Sequence, residues 1–172
     1  MKNKTFVSFL FICLVFNLNY GQQPSTEIYK QLEKLNFLGS ALYIAAHPDD
    51  ENTALISYLS NHVNAHTAYL SLTRGDGGQN LIGNELRALL GVIRTEELIK
   101  ARSIDNGNQY FSSAIDFGYS KHPNETLKIW DKEQILGEVI GRIRAFQPDI
   151  IINRFDHRTA GRTHGHHTSS AL

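Results

Sequence analysis

The chain has 172 residues, which is enough for one domain with a hydrophobic core but not for two. Basic and acidic residues number 17 each, so no net charge attracts the chain to nucleic acid or to an anionic membrane. The single cysteine, Cys13, leaves neither a disulfide framework nor a thiolate metal site, so any metal ion must be held by histidine and carboxylate.

The N-terminus has the pattern of a secretory signal peptide. Lys2 and Lys4 precede an apolar run, residues 6–16, which is shorter than the roughly 20 helical residues that cross a bilayer. We expect residues 1–21 to be removed and the mature protein to be exported to the periplasm or the extracellular space, with no stable membrane span. An uncleaved anchor or a buried helix is the alternative.

Residues 22–37 are predicted to form a helical lead-in to the domain. Apolar residues recur at helical spacing between residues 24 and 35, and either Ser25 or Thr26 is expected to cap the helix.

Alternating strands and helices are predicted across residues 38–172, the main domain. The predicted strands are 41–46, 63–73, an edge-like 110–117 and 149–153, the last of which is expected to be buried. The predicted helices are 52–59, 86–104 and one that begins after Asp131, with Gln134 as its capping-box partner, and ends at Pro148. This alternation indicates an α/β fold, a Rossmann-like three-layer sandwich with a mostly parallel sheet.

Three polar residues follow the first predicted strand directly: His47, Asp49 and Asp50. Open α/β folds place their sites at the carboxyl edge of the sheet, so we expect the chemistry there. Successive side chains of an extended segment point in opposite directions, so only one of the two aspartates can share a face with His47. One aspartate would bind a metal ion and the other would act on a water molecule. A turn with a helix N-cap is the structural alternative.

A glycine-dense loop, residues 74–80, follows the second predicted strand. Its glycine spacing matches neither the dinucleotide fingerprint nor a Walker loop, which argues against a nucleotide-dependent enzyme. Arg74 and Asp76 are possible substrate contacts, and a plain surface turn is an equal alternative.

A second group of histidines, residues 164–167, follows the last predicted strand. A hydrolytic zinc site needs about three protein ligands and one open position for water. His47, one aspartate and one of these histidines would supply that number. A surface tract that binds metal non-specifically is the alternative.

The run Ala46-His47-Pro48-Asp49-Asp50-Glu51, together with His164-x-x-His167, resembles the signature of the PIG-L/LmbE-like zinc-dependent de-N-acetylases, from about residue 38 to the end. This family includes the N-acetylglucosaminyl-phosphatidylinositol deacetylase. The resemblance implies that His47, Asp50 and His167 bind the metal and that Asp49 is the general base. It also implies that His164 stabilises the oxyanion.

The helix segment Arg94-Thr95-Glu96-Glu97-Leu98 is similar to a family helix whose arginine reaches the substrate, so Arg94 is the best candidate binding residue. The implied reaction is hydrolysis of an N-acetyl group on an amino sugar or glycoconjugate. Zn²⁺ is the implied cofactor, and such a donor set also accepts Fe²⁺.

Two departures from the family pattern bear on this interpretation. The second motif contains Gly165-His166 where the family commonly has Pro-Asp, so His166 is a competing ligand. Family domains also continue further, so we expect the chain to be incomplete at its C-terminus. A carbohydrate- or metal-binding module without turnover, inactivated by truncation, is therefore the alternative to an enzyme.

Overall fold

A computed structural model of the chain describes residues 24–157 and 165–171. The chain divides into two compact units, residues 1–36 and 37–172. The first contains helix α1, Ser25–Lys34. Its N-cap residue is Pro24 and not Ser25 or Thr26 as predicted, so no side chain caps the helix. The predicted signal peptide lies outside the described residues. None of the helices within the described ranges is long and apolar enough to cross a membrane.

The second unit is built on a four-stranded parallel sheet with strand order β3-β2-β1-β4. In chain order its elements are β1 (Ser40–Ala45), α2 (Thr53–Asn61), β2 (His66–Ser71), α3 (Ala88–Asp105), β3 (Asn108–Phe111), α4 (Pro123–Trp130), α5 (Lys132–Phe146), β4 (Ile150–Asn153) and α6 (Gly165–Ser169). This arrangement confirms the predicted α/β, Rossmann-like fold.

The two central strands, β1 and β2, are buried on both faces because their alternate side chains enter two separate cores. One core packs Leu42, Ile44 and their β2 neighbours against Trp130 and Ile135 of α4 and α5. The other packs Tyr43 against residues of α2 and α3. Each fully buried aliphatic side chain contributes about 1.5–3 kcal/mol, so the strand that leads into His47 is among the most firmly held parts of the domain.

Three local predictions are wrong. Ile150 and Ile151 of β4 are 61% and 45% exposed rather than buried, because β4 pairs with β1 alone among the described strands. Pro123 opens helix α4, which is not among the helices predicted from the sequence. Asp131 does cap α5 through the backbone N–H of Gln134, but the Gln134 side chain donates to Ser113 and Glu138 instead of closing a capping box.

Candidate metal centre

A tight turn after β1 directs the side chains of the adjacent residues Asp49 and Asp50 to different sides. The Asp50 carboxylate accepts a hydrogen bond from the backbone N–H of His47 at 2.8 Å, and the Asp50 N–H donates back to the His47 carbonyl at 3.2 Å. Asp49, between them, adopts a φ of 95°, a conformation that costs a non-glycine residue about 1–3 kcal/mol. Asp50 is thereby directed at His47, while the Asp49 side chain is 71% exposed.

Two hydroxyl groups hold the strand end below the turn. The Tyr69 hydroxyl donates to the His47 carbonyl, and the Thr73 hydroxyl donates to the Ala46 carbonyl at 2.9 Å. Both residues are buried and come from β2 or the segment just after it. The position of His47 is therefore fixed by the neighbouring strand as well as by the turn itself.

A buried ion cluster supports the turn from the side of α3. The guanidinium of Arg102 bonds both oxygens of Asp105 at 2.6–3.1 Å and lies 3.6 Å from Glu51. The other oxygen of Glu51 accepts the backbone N–H of Asp49 at 2.9 Å. Glu51 thus links the strained residue of the turn to the interior of the second unit.

His47, Asp50 and His167 form a compact donor set at the carboxyl end of β1. Asp50 Oδ2 lies 3.1 Å from His47 Nδ1, and Asp50 Oδ1 lies 3.3 Å from His167 Nε2. Phe155 stacks flat on the His167 ring, with centroids 3.9 Å apart and planes 5° from parallel. Both histidines therefore face the Asp50 carboxylate at the carboxyl end of β1.

The charges in this set stabilise one another. Burial favours the neutral form of His47, but its hydrogen bond to Asp50 and the charges of Asp50, Asp116 and Asp49 outweigh burial and raise the pKa of the imidazole. Burial would likewise raise the pKa of Asp50, but the two histidines hold that pKa well below its usual range. Asp50 is therefore ionised at neutral pH, as a metal ligand must be.

The family of the chain follows from a comparison with family models. Residues 42–171, well over half of the chain, match the model described as PIG-L, GlcNAc-PI de-N-acetylase. The chain belongs to the PIG-L family. No curated protein matches it.

The donor set of this PIG-L domain fits a divalent metal ion. Two imidazoles and one carboxylate suit zinc, whose ligand atoms at about 2.0–2.2 Å in tetrahedral geometry lie about 3.3–3.6 Å apart. The separations here are 3.1 Å from His47 to one Asp50 oxygen and 3.3 Å from His167 to the other. The donor atoms of His47, Asp50 and His167 all lie within 4.8 Å of one another. All three side chains are partly exposed, which leaves access for water.

Arg94 contacts the turn of the PIG-L domain and not the donor set. Its Nη2 atom donates to the Pro48 carbonyl at 2.6 Å and to Asp49 Oδ2 at 3.0 Å, and its Nε atom lies 3.4 Å from Glu97. Arg94 and Asp49 are thus brought together on the turn that carries His47 and Asp50.

Arg74 and Asp76 lie beside this site rather than in it. Arg74 donates to the Thr95 hydroxyl and stacks over the Phe111 ring, and Asp76 accepts the backbone N–H of Asp116. Both line a pocket of about 460 Å³ between the glycine-dense loop, α3 and the segment after β3. His164, the remaining candidate, lies outside the described residues.

Asp116 was not identified from the sequence as a site residue, and His166 was named only as a competing ligand. Asp116 Oδ2 lies 4.0 Å from His47 Nε2, and the His166 ring lies 5.1 Å from the His47 ring. Asp116 follows β3, so the expectation that parallel strands bring their carboxyl ends to one edge could have found it. Asp116 was overlooked because the predicted strand extended to residue 117, which placed Asp116 inside the strand and not after its end.

Proposed function

We propose that this PIG-L protein is a metal-dependent hydrolase that removes an N-acetyl group from an amino sugar or sugar conjugate, releasing acetate and a free amine. The observation that carries the proposal is the pairing of a His–Asp–His donor set with a second, outward-facing aspartate on the same turn. That second carboxylate lies outside the donor set and pairs with Arg94, so it is available to act on a water molecule without binding the ion.

His47, Asp50 and His167 would hold the ion, with Zn²⁺ as the best match and Fe²⁺ as an acceptable substitute. When bound, the ion supplies Lewis acidity and lowers the pKa of a water molecule to about 7. The hydrogen bond from the His47 backbone N–H to Asp50 and the stacking of Phe155 on His167 keep the ligands oriented before the ion arrives.

Asp49 is proposed as the general base. Its carboxylate is 71% exposed and lies outside the donor set, so it is free to take a proton from the attacking water and pass it to the leaving amine. Arg94, at 3.0 Å, holds the carboxylate in place and offers its remaining N–H groups to substrate oxygens.

His164 is proposed to stabilise the oxyanion of the tetrahedral intermediate, on the basis of the motif that it begins. Arg74 and Asp76 are proposed to contact parts of the substrate distant from the amide, because both line a pocket and neither belongs to the donor set. The nature of the group attached to the amino sugar would be selected there.

The test is acetate release from a panel of N-acetylated sugars, starting with N-acetylglucosamine conjugates, by purified protein of measured metal content. We expect release that stops on chelation and returns when Zn²⁺ is added. Release that continues unchanged after chelation would contradict the proposal. Sugar binding without any acetate release by zinc-loaded protein would favour the binding-module alternative.

We further propose that the mature protein is exported after removal of residues 1–21. Expression of the full chain with its N-terminus, followed by mass spectrometry of the exported fraction, should give a product that begins near Gln22. Recovery of the intact N-terminus in the cell alone would contradict this.

A further inference from the structure

His47 lies between two carboxylates that face opposite nitrogens of its ring. Nδ1 is 3.1 Å from Asp50, and Nε2 is 4.0 Å from Asp116. Asp116 is fixed in this orientation because its other oxygen accepts the backbone N–H of Gly118 at 3.0 Å. The same imidazole can therefore present a lone pair toward either carboxylate.

His166 completes a second donor set on the Asp116 side. The donor atoms of His47, Asp116 and His166 lie within 4.8 Å of one another, as those of the first set do. Asp116 and His166 are both buried, and the His166 ring packs between Phe117 and Trp130 with centroids 4.4 and 5.0 Å away. An imidazole and a carboxylate are thus held together in a site from which bulk water is largely excluded.

We propose that His47, Asp116 and His166 form a second divalent-cation position that alternates with the position formed by His47, Asp50 and His167. A neutral imidazole has one lone pair and one N–H, so His47 can bind an ion on one side only. Its remaining N–H then donates to the carboxylate on the other side, the usual arrangement that orients a metal-binding histidine. The two positions are therefore mutually exclusive, and each supplies the orienting carboxylate for the other.

The two positions differ in what an ion could do there. The first set is partly exposed and its donor separations of 3.1 and 3.3 Å suit zinc, so it is the preferred position. In the second set the 4.0 Å separation must shorten, and its buried ligands leave no room for a substrate. An ion in the second position would be retained but inactive, which gives the chain a resting location for its metal.

This inference shares His47 with the proposed hydrolase site, so its test measures metal binding rather than acetate release. The probe is Co²⁺, whose visible absorption reports ligand number and geometry, titrated into the full chain. The variants are His167→Ala alone and His167→Ala combined with Asp116→Asn. His62→Ala, which removes an exposed histidine outside both sets, is the matched control.

We expect His167→Ala to keep one Co²⁺ per chain with a shifted absorption band, and the double variant to lose it at the same concentration. Equal loss of Co²⁺ from the single and the double variant would overturn the proposal, as would equal retention by both. His62→Ala should bind as the unchanged chain does.

Anomalous diffraction from crystals of the His167→Ala protein soaked in Co²⁺ provides a check that does not depend on the double variant. The proposal expects the peak between His47, Asp116 and His166. A peak beside Asp50, or none at saturating Co²⁺, would refute it.

Discussion

Replacing each of the two adjacent aspartates by asparagine tests whether one carboxylate serves catalysis and the other serves metal binding. Asp49→Asn and Asp50→Asn make the same chemical change one residue apart, so each serves as the control for the other. Asparagine is the right replacement at position 49, because the φ of 95° there would add strain to a residue such as alanine. We expect Asp49→Asn to remove activity with the metal retained, and Asp50→Asn to remove the metal.

The expected magnitudes follow from the contacts of each side chain. Asp49 has an exposed ion pair with Arg94, worth about 0–1 kcal/mol, so the melting temperature should fall by no more than about 2–4 °C. A general base contributes about 10²–10⁴-fold to the rate, and kcat should fall by that factor. Asp50 contacts both histidines. Loss of an outer partner alone weakens metal binding about 10–100-fold, so loss of this ligand should cost more.

The assays are acetate release at saturating Zn²⁺, zinc content after gel filtration, and thermal unfolding of both variants. An Asp49→Asn protein that loses its zinc would show that Asp49 is a ligand. An Asp49→Asn protein of unchanged kcat would remove it from the mechanism. Either result would refute the division of labour between the two carboxylates.

Three further outcomes are expected. Because the pKa of His47 is raised and the metal needs its neutral form, apparent Zn²⁺ affinity measured by calorimetry should fall about tenfold per pH unit below that pKa, and a flat profile would contradict this. Asp105→Asn should lower the free energy of unfolding by about 3–5 kcal/mol and Glu51→Gln by less, because Asp105 makes the shorter contacts to Arg102. Equal losses for the two variants in denaturant titrations would contradict this. Gly75→Ala should lower the free energy of unfolding by about 1–3 kcal/mol, because φ is +69° there and the new Cβ would lie 3.2 Å from the ring of Pro48. Gly137→Ala, in open space within α5, should raise the free energy of unfolding by about 0.5–1 kcal/mol. A change of the same sign in both variants would refute the reasoning.

The predictions that succeeded depended on local patterns. The apolar run before His47 specified a buried strand, and alternation with helices specified the parallel sheet, because burial and period-two geometry act on neighbouring residues. Opposite directions for Asp49 and Asp50 were also predicted, but from the geometry of an extended segment rather than of a turn. In the structure the two side chains diverge because Asp49 has a positive φ, which no sequence pattern predicted.

The predictions that failed depended on distant contacts. Exposure of Ile150 is set by which strands flank β4, and a run of isoleucines carries no information about that. Likewise, Gln134 could have completed the cap of α5, but its amide donates to Ser113, which is distant in sequence, and to Glu138, one turn further along α5. Asp116 became visible only when the fold set it against His47.

The turn explains why a glutamate follows the two aspartates. In this turn the opposite orientations of Asp49 and Asp50 come with a strained backbone at Asp49, and strain persists only where surrounding contacts enforce it. Glu51 supplies such a contact by accepting the Asp49 N–H while its other oxygen faces Arg102 in the interior. The strain that separates the proposed base, Asp49, from the proposed ligand, Asp50, is thus held by a buried ion cluster that joins Glu51 to α3. The geometry of the candidate site therefore depends on residues that are not proposed to touch a substrate.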